Sequence, residues 1–570
     1  MAELASAATL SRPQRWDSPF DPNLTPGDVE KLLRIPEIAA IDEERFPRSL
    51  PLRGVLGNDC RLVRRQSGEI IIRADDYGNS AFLLISGLAR VVLPPGIPIE
   101  QLGRQETVTK SLWESFSQLW KNSSVKESRD ISRYQQQAKI TGEENRVSVD
   151  TLGTVIIDQG EVNGPNLKSL LPQLHTVPLP QGSLFGEIAA LRREPRSATI
   201  VADENCLLLE IRWQGLRDIR KYDPGWRNII DQSYRKNTLL THLREHELFA
   251  GISEDALQRI ADCTLFETFG SFEWFSDFQR DGTDSVNIDQ EPLVAAEGDY
   301  SDGLLLIAAG FGRVSVKTGN GRRTLTYLRS GDYFGIDELM ANWETGEDIS
   351  LTCSLHATGY LDVLRVPGYA LAEISEQISQ LTPTNFRALA AKPFSEADDL
   401  LDWAVSERFI NGTQAMLIDL DKCVRCDDCV SACSRAHDGN PRFLRHGKVL
   451  GKWMIANACM HCSDPVCLIG CPTGAIHRMA EQGVVTINDD SCIGCGVCAN
   501  SCPYSNIRLV EINDKKGRAV LDPATQLPIM KATKCDLCVE QPGGPSCVRA
   551  CPADAMRRID FHDMDMVTGQ

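Results

Sequence analysis

Sixteen of the chain's twenty cysteines fall between residues 423 and 551, in four groups of four. Cys423, Cys426, Cys429 and Cys433 lie in CVRCDDCVSAC, and Cys459, Cys462, Cys467 and Cys471 in CMHCSDPVCLIGCP. Cys492, Cys495, Cys498 and Cys502 lie in CIGCGVCANSCP, and Cys535, Cys538, Cys547 and Cys551 in CDLCVEQPGGPSCVRACP. No other feature constrains the fold as strongly. Three cysteines two residues apart let one tight loop wrap three corners of a cubane, while a fourth, three residues on, opens a helix and points toward a different cluster. The proline that follows in three groups suits the first turn of that helix, where a backbone N–H has no partner anyway. Glycines in CIGCGVC let backbone amides approach the sulfurs. Zinc sites come as two C-x2-C pairs separated by a longer span, which these groups are not. Disulfides across such short loops would be strained. The spacing therefore predicts four [4Fe–4S] clusters, with all sixteen cysteines as metal ligands.

Residues from about 409 to 560 resemble the four-cluster iron–sulfur electron-transfer subunit of the dimethyl sulfoxide reductase and formate dehydrogenase families. CMHCSDPVCLIGCPTGA and CIGCGVCANSCPYSNIRL are close to the second and third motifs of that family. The resemblance implies an α+β double ferredoxin-like domain and a sharing of ligands between groups. Cys423, Cys426 and Cys429 would share a cluster with Cys551, and Cys535, Cys538 and Cys547 with Cys433. Cys459, Cys462 and Cys467 would take Cys502, and Cys492, Cys495 and Cys498 would take Cys471. No cysteine is replaced, so every cluster is expected to be four-iron. Such a module makes and breaks no substrate bonds, so no catalytic residue is expected. His437 and His461 are not needed as ligands. Lys422, Arg425, Lys534 and Arg549 either offset the anionic cluster–thiolate units or are solvated surface charge.

Upstream, the chain repeats itself at about 150 residues. EIIIRADDYGNSAFLLISGLARVVL and PQGSLFGEIAALRREPRSATIVADENCLLLEIRW are echoed by LVAAEGDYSDGLLLIAAGFGRVSV and LRSGDYFGIDELMANWETGEDISLTCSLHATGYLDVLRV. Short strands separated by Gly, Asp and Asn turns dominate both. Both copies resemble cyclic-nucleotide-binding domains: jelly-roll-like β-rolls with flanking helices. In FGEIAALRREPRSAT of the first copy, the resemblance implies that Arg196 pairs with a cyclic phosphate, which a planar guanidinium grips with two donors. Glu187 would accept from the ribose 2′-hydroxyl, and Ser197 with the amides near Gly186 and Ile188 would complete the site. A buried Glu187–Arg196 ion pair without ligand is the other reading. Tyr234 and Arg235 are candidates for capping the base. The second copy has Ile336 at the glutamate position and about Ile349 at the arginine position, beside Glu347 and Asp348, and is expected to bind no nucleotide.

The resulting organisation is an N-terminal arm and helix (1–54), a first roll (55–245) with an insertion at about 92–176, a degenerate second roll (246–408) and the iron–sulfur domain (409–570). Residues 1–26 read as a disordered or wrapping arm. In the insertion, Leu112, Trp113, Phe116, Leu119 and Trp120 recur at helical spacing. They face either their own domain or a partner. Helices are expected over about 214–247 and 366–408, with Ser395 as an N-cap. Cys60, Cys206, Cys263 and Cys353, scattered through the first 408 residues, read as buried structural thiols.

Residues 409–570 carry 17 basic and 18 acidic residues, so nearly all of the net charge of −18 lies upstream. That acidic front repels phosphate backbones, and no nucleic-acid partner is expected. No run of eighteen apolar residues, secretory signal or C-terminal anchor is visible, so a cytoplasmic protein without direct membrane insertion is expected. Neither a Walker loop nor a dinucleotide fingerprint is present. The expected function is that of a non-catalytic electron-transfer subunit whose partners are catalytic subunits carrying flavin, molybdopterin or other cofactors. A redox and nucleotide sensor, or a structural adaptor, is the alternative.

Overall fold

The computed structural model describes residues 19–563 except 77, 79, 94–108, 130–146, 150–154, 158–170, 172–173, 193–194, 236–238, 271–290, 320, 379–385, 392–395, 469–470, 472, 480–482 and 523–525. Ser395 and residues 1–18 of the arm therefore lie outside the described residues. From residue 19 the chain wraps the first sheets. Arg61 sits 4.5 Å over the Phe20 ring, and Leu24 is buried. Helix α1 (Pro26–Leu32) opens with a capping box between Thr25 and Asp28, which satisfies donors that no helical turn can reach. Helix α2 (Leu52–Asp59) leads into the first strand.

The first repeat builds two antiparallel four-stranded sheets. Their strands are β1 (Cys60–Arg65), β2 (Ile70–Ile72), β3 (Ser80–Ser86), β4 (Ala89–Val92), β7 (Thr176–Leu179), β8 (Leu184–Phe185), β9 (Thr199–Ala202) and β10 (Cys206–Arg212). One sheet runs β1-β10-β3-β8 and the other β2-β9-β4-β7. Alternation along the strands sends Val63, Phe82, Leu84 and Leu208 to a core shared with Ile72 and Ile200 of the facing sheet. Leu83, Leu209 and Ile211 point the other way, against the N-terminal helices and α5 (Trp213–Tyr222). The expected insertion leaves the sheets between β4 and β7. It carries α3 (Leu112–Lys121) and a hairpin of β5 (Val147–Val149) and β6 (Val155–Ile157). The expected helical stretch after β10 is broken into α5, α6 (Pro224–Tyr234) and a six-residue helix, Leu240–Glu245. Asp223 and Pro224 make the first break, with the Asp223 carboxylate accepting from Trp226 N at 2.8 Å.

The second repeat follows helix α7 (Glu254–Cys263). Its six strands form one sheet, β11 (Leu265–Gly270), β16 (Ser354–Pro367), β13 (Gly303–Thr318) and β14 (Gly321–Arg329) in order, with β12 (Leu293–Ala295) on β16 and β15 (Tyr333–Phe334) on β13. Helix α8 (Ile336–Thr345) takes the place that α4 (Glu187–Arg192) holds in the first repeat. Helix α9 (Glu396–Ser406) leads to the cysteine-rich region. Of the four scattered cysteines, Cys60, Cys206 and Cys353 are buried and Cys263 is half-buried.

The cysteine-rich region places a four-stranded sheet, β18 (Leu444–Leu450)-β19 (Trp453–Asn457)-β17 (Ala415–Asp419)-β24 (Met556–Ile559), beside two hairpins. These are β20 (Ile476–Arg478) with β21 (Val485–Ile487) and β22 (Arg508–Glu511) with β23 (Met530–Thr533). Helices α10 (Asp428–Ala436), α11 (Val497–Ser501) and α12 (Ser546–Arg549) each carry cysteines. One apolar cluster joins all parts. Leu209 and Ile211 of the first sheets, Phe311 and Tyr360 of the second, Leu400, Leu401 and Val405 of α9, and Leu417, Ile559 and Phe561 of the cysteine-rich region share it. At about 1.5–3 kcal/mol per buried aliphatic side chain, this seam ties the cysteine-rich region to both sheet systems. Arg329–Asp560 at 2.6 Å and His562–Asp332 at 2.8 Å reinforce it.

Candidate cluster-binding centre and anion pocket

Two cavities in the cysteine-rich region are lined by four cysteines each, and each set combines two sequence groups. One is lined by Cys492, Cys495, Cys498 and the distant Cys471. The other is lined by Cys459, Cys462, Cys467 and the distant Cys502. Around Cys547, the thiols of Cys535, Cys433 and Cys538 are its electrostatic neighbours. Cys423 and Cys551 pack against the cluster that holds Cys429 and Cys433. Cys426 is exposed, and the other fifteen are buried or half-buried.

Without a bound centre this donor set rests as neutral thiols. Burial, and then the neighbouring Cys471, Cys492 and Cys495, push the Cys498 thiol up to about 12. Burial, opposed by Arg558 and reinforced by Cys535 and Cys433, takes Cys547 to about 12 as well. Cys462 and Cys467 are likewise held well above the usual thiol value by burial and then by their cysteine neighbours. Four thiolates in such a space need a cationic centre. Backbone donors already point at the sulfurs: Asn506 N at 3.4 Å from Cys502 Sγ, Ala555 N at 3.2 Å from Cys551 Sγ, and Arg442 N at 3.3 Å from Cys433 Sγ. Arg558 Nη2 donates to Cys535 Sγ at 3.0 Å.

Other donors beside the cysteines have no acceptor among the described residues. Arg442 Nε, Arg478 Nε, Arg558 Nε and His461 Nε2 are buried and unpartnered. Such orphans are rare in folded proteins and cost about 1–3 kcal/mol each when nothing accepts from them. An anionic group seated among the cysteines supplies the acceptors. Thiol set and orphaned donors both fit iron–sulfur clusters.

Of the four cations singled out in the sequence, Lys534 alone is buried, and its Nζ donates to Cys535 O at 2.9 Å. Lys422, Arg425 and Arg549 are exposed. Sequence reasoning missed Arg442, Arg478 and Arg558. The alternation of MRRI in β24, which turns Arg558 toward Cys535, was the available signal. His437 holds Asp536 through Nε2 at 2.9 Å and lies 2.7 Å from Cys433 O through Nδ1. Burial disfavours its imidazolium, yet the Asp536 carboxylate outweighs this and holds the His437 pKa well above its ordinary value. His461 Nδ1 accepts from Val485 N at 3.0 Å, and burial, Lys534 and Arg558 keep the ring neutral.

In the first sheet system, Arg196 lies beneath α4, 6% exposed. Its Nη1 donates to Gly186 O and its Nη2 to Ser80 O, both at 2.6 Å. Glycines make the space: a Cβ at Gly78 would sit 2.0 Å from Nη2, and one at Gly186 2.4 Å from Nη1. Burial lowers the Arg196 pKa to about 10 against the pull of Glu210, Glu187 and Asp76. Glu187 is also buried, but its carboxylate accepts from the Ser233 hydroxyl of α6. Burial raises its pKa. The ligand-free ion pair is thus corrected: the guanidinium bonds to main-chain carbonyls and the carboxylate to a serine. Ile188 packs toward the apolar cluster around Tyr234, and Ser197 is exposed. Base capping by Tyr234 and Arg235 is corrected too. Tyr234 is buried with its hydroxyl 3.0 Å from His242 Nδ1. Arg235 donates to Ala261 O, Asp262 O and Thr264 O at the end of α7.

The second repeat lacks this arrangement. Ile336 is buried in apolar surroundings. Ile349 N donates to Asn342 Oδ1 at 2.6 Å, and Glu338 accepts from Thr352 N and Oγ1.

The first pocket lies beside the cysteine-rich region. Arg196 N donates to Asp76 O at 2.9 Å. The Asp76 carboxylate and Arg73 lie 3.8 and 3.7 Å from where a Cβ of Gly474 would be, three residues beyond Cys471.

Comparison with known proteins matches residues 451–560 to a 4Fe-4S dicluster domain and residues 174–223 to a cyclic nucleotide-binding domain. A subunit of the sulfite dehydrogenase of Allochromatium vinosum is 33% identical over 26% of this chain and 70% of its own length. Electron transport protein HydN of Escherichia coli is 30% identical over 27% of this chain and 93% of its own. A component of the anaerobic dimethyl sulfoxide reductase of Escherichia coli is 33% identical over 26% and 72%. A solved regulatory domain of Toxoplasma gondii PKA with cAMP, 14% identical, spans 63% of this chain and 97% of its own with a TM-score of 0.21. Among the described residues no helix is long and apolar enough to cross a membrane. By its cysteine-rich third the chain belongs to the family of iron–sulfur electron-transport subunits of oxidoreductases, here joined to a cyclic nucleotide-binding domain.

Proposed function

We propose that this chain is a cytoplasmic, non-catalytic electron-transfer subunit that holds four [4Fe–4S] clusters and hands single electrons to or from catalytic partner subunits carrying flavin, molybdopterin or another cofactor. The crossed lining of the two cavities, three cysteines from one group and one from another, carries this reading. On it, Cys459, Cys462, Cys467 and Cys502 hold one cluster, and Cys492, Cys495, Cys498 and Cys471 a second. Cys535, Cys538, Cys547 and Cys433 hold a third, and Cys423, Cys426, Cys429 and Cys551 a fourth. When bound, the clusters supply one-electron acceptance and release. The chain's residues fix their charge environment: Arg558 donates to Cys535 Sγ and the Arg442 main-chain N–H to Cys433 Sγ, while Arg478 and Lys534, bonded to the carbonyls of Cys462 and Cys535, add positive charge beside them, which favours the reduced state.

The division into arm, two β-rolls and a double ferredoxin-like domain belongs to the same reading. The first roll is the regulatory element. Gly186, Glu187, Ile188, Arg196 and Ser197 receive a cyclic nucleotide, with the phosphate drawing Arg196 from its carbonyl partners. The second roll, with Ile336 in its core, serves as a scaffold. Proximity of Asp76 and Arg73 to the Gly474 loop supports regulation over pure docking, because it links the pocket to a cysteine loop.

An anaerobic reductive titration followed by electron paramagnetic resonance tests the proposal. About four electrons per chain are expected, one per cluster. A chain that takes up none at low potential contradicts it.

A further inference from the structure

Helix α3 of the insertion is fastened to the cysteine-rich region by its polar side and leaves its apolar side bare. Gln118, 8% exposed, donates to Asp438 Oδ1 at 2.7 Å and Ala436 O at 3.3 Å. Asn122 donates to Arg435 O at 2.6 Å, and Gln541 donates to Gln118 at 3.1 Å. Lys110 meets Glu540 through both its main-chain N–H and its ammonium, each at 2.8 Å. These partners flank Cys433 and Cys538, so the helix lies beside that cysteine set. A capping box between Ser111 and Glu114 fixes its start.

On the opposite side Leu112, Trp113, Phe116 and Trp120 are 77%, 76%, 52% and 73% exposed. Phe116 lies between the two tryptophans, with ring centroids 6.2 Å from Trp113 and 4.8 Å from Trp120. Aromatic side chains of roughly 150–250 Å² each, exposed to this degree, form a continuous patch of several hundred Å², at the upper end for a monomer surface. The expectation that this face covers its own domain is therefore not met among the described residues. The side chain of Leu119 lies outside the described residues.

We propose that this stripe is the docking site for the redox partner protein, whose apolar groove receives α3 and so places the partner against the cysteine set of Cys433, Cys535, Cys538 and Cys547. The inference rests on the electron-transfer reading above. Trp113, Phe116 and Trp120 stand at i, i+3 and i+7, the spacing by which a helix enters a groove. Tryptophan anchors dominate such interfaces. The area decides between occupants. Two copies joined through one ten-residue helix fall far short of the roughly 2,000 Å² or more of obligate homodimers, whereas a transient redox encounter needs less than about 1,200 Å². Because the helix's other face is bonded around Cys433 and Cys538, a partner on the stripe is already next to a ligand set.

The test uses the full chain, purified anaerobically with its clusters, and a Trp113→Ser, Phe116→Ser, Trp120→Ser variant. Both are immobilised and exposed to soluble extract of the producing organism. The retained fraction is assayed for flavin, molybdenum and iron, and for its rate of reoxidising dithionite-reduced clusters. Wild type is expected to retain a cofactor-bearing protein that reoxidises its clusters at least about tenfold faster than those of the variant, which keeps its own iron. A photo-crosslinker at position 120 is expected to join that same protein. Equal capture and equal reoxidation by the variant overturn the proposal. So do retention of a protein without a redox cofactor, self-association that the variant loses, or a crosslink falling within residues 94–108 or 130–170 of this chain. Iron content and reducibility of the wild type, measured on the same samples, report separately on the cluster reading. If they fail, both proposals fall.

Discussion

Arg196 in the first sheets and the cations beside the cysteines are left with different unmet demands. In the first sheet system Arg196 is buried, yet both its terminal nitrogens already have carbonyl partners in Gly186 and Ser80. Around the cysteines, Arg442, Arg478, Arg558 and His461 each keep a buried N–H with no acceptor among the described residues, while the thiols beside them are crowded and held neutral by burial. A pocket of the first kind is complete without a ligand and can gain one by exchange. A centre of the second kind is incomplete until its ligand is present. The anion pocket therefore suits an occasional regulator, and the cysteine centre a permanent cofactor.

The sharpest way to break that contrast is to remove iron. With chelator under reducing conditions, the cysteine-rich region should lose its cooperative unfolding transition and its amide protection, because ligand binding and folding are coupled there. The first sheets should keep theirs. Equal protection in both regions by hydrogen exchange would erase the distinction. Next in size is Arg196→Ala. Calorimetry should find cyclic nucleotide binding weakened by about 2–4 kcal/mol, the loss of a buried charged hydrogen-bond pair. Ile349→Arg in the second repeat should confer none. No binding by wild type ends the regulatory reading. Without ligand, Arg196→Met should still destabilise the chain by about 1–3 kcal/mol, since two buried carbonyls lose their donors.

A smaller effect is expected from Arg558→Gln. Removing a positive charge bonded to Cys535 Sγ disfavours the reduced state. One cluster's midpoint should fall by about 60 mV, tenfold in a one-electron equilibrium. An unchanged set of potentials would detach Arg558 from the centre. The smallest effect concerns pH. Burial raises the Glu187 pKa in the folded chain. The unfolded chain therefore ionises first, and stability should fall as pH rises from the ordinary glutamate value through the raised one. Glu187→Gln should flatten that slope in thermal melts; a slope left intact assigns it elsewhere.

How much of this was legible in the sequence follows physical lines. The cysteine groups were readable because cluster ligation fixes spacing locally, and the crossed pairs came from family resemblance. An insertion at about 92–176 was expected; β4 ends at Val92 and β7 begins at Thr176. Partners of Arg196 and Glu187 were not legible, because Ser80 O and the Ser233 hydroxyl come from elements distant in sequence and Gly186 O is a main-chain group that no side-chain pattern marks. Tyr234 and Arg235 misled for the same reason, since the end of α7 that occupies Arg235 lies nearly thirty residues on. Alternation in β24 puts Arg558 on one face, but that this face meets Cys535 depends on tertiary pairing, and Arg442 meets Cys433 Sγ through its main-chain N–H, which no side-chain pattern marks. Stripe residues on α3 were legible as a helix face, but its polar anchorage lies more than 300 residues away in the chain.

The central claim is that the sixteen clustered cysteines hold iron–sulfur clusters. Iron and acid-labile sulfide counts on anaerobically purified chain, with Mössbauer spectra of the same sample, test it most directly. The account predicts about sixteen iron and sixteen sulfide per chain, all in four-iron clusters. Zinc in place of iron, or iron without labile sulfide, would contradict it.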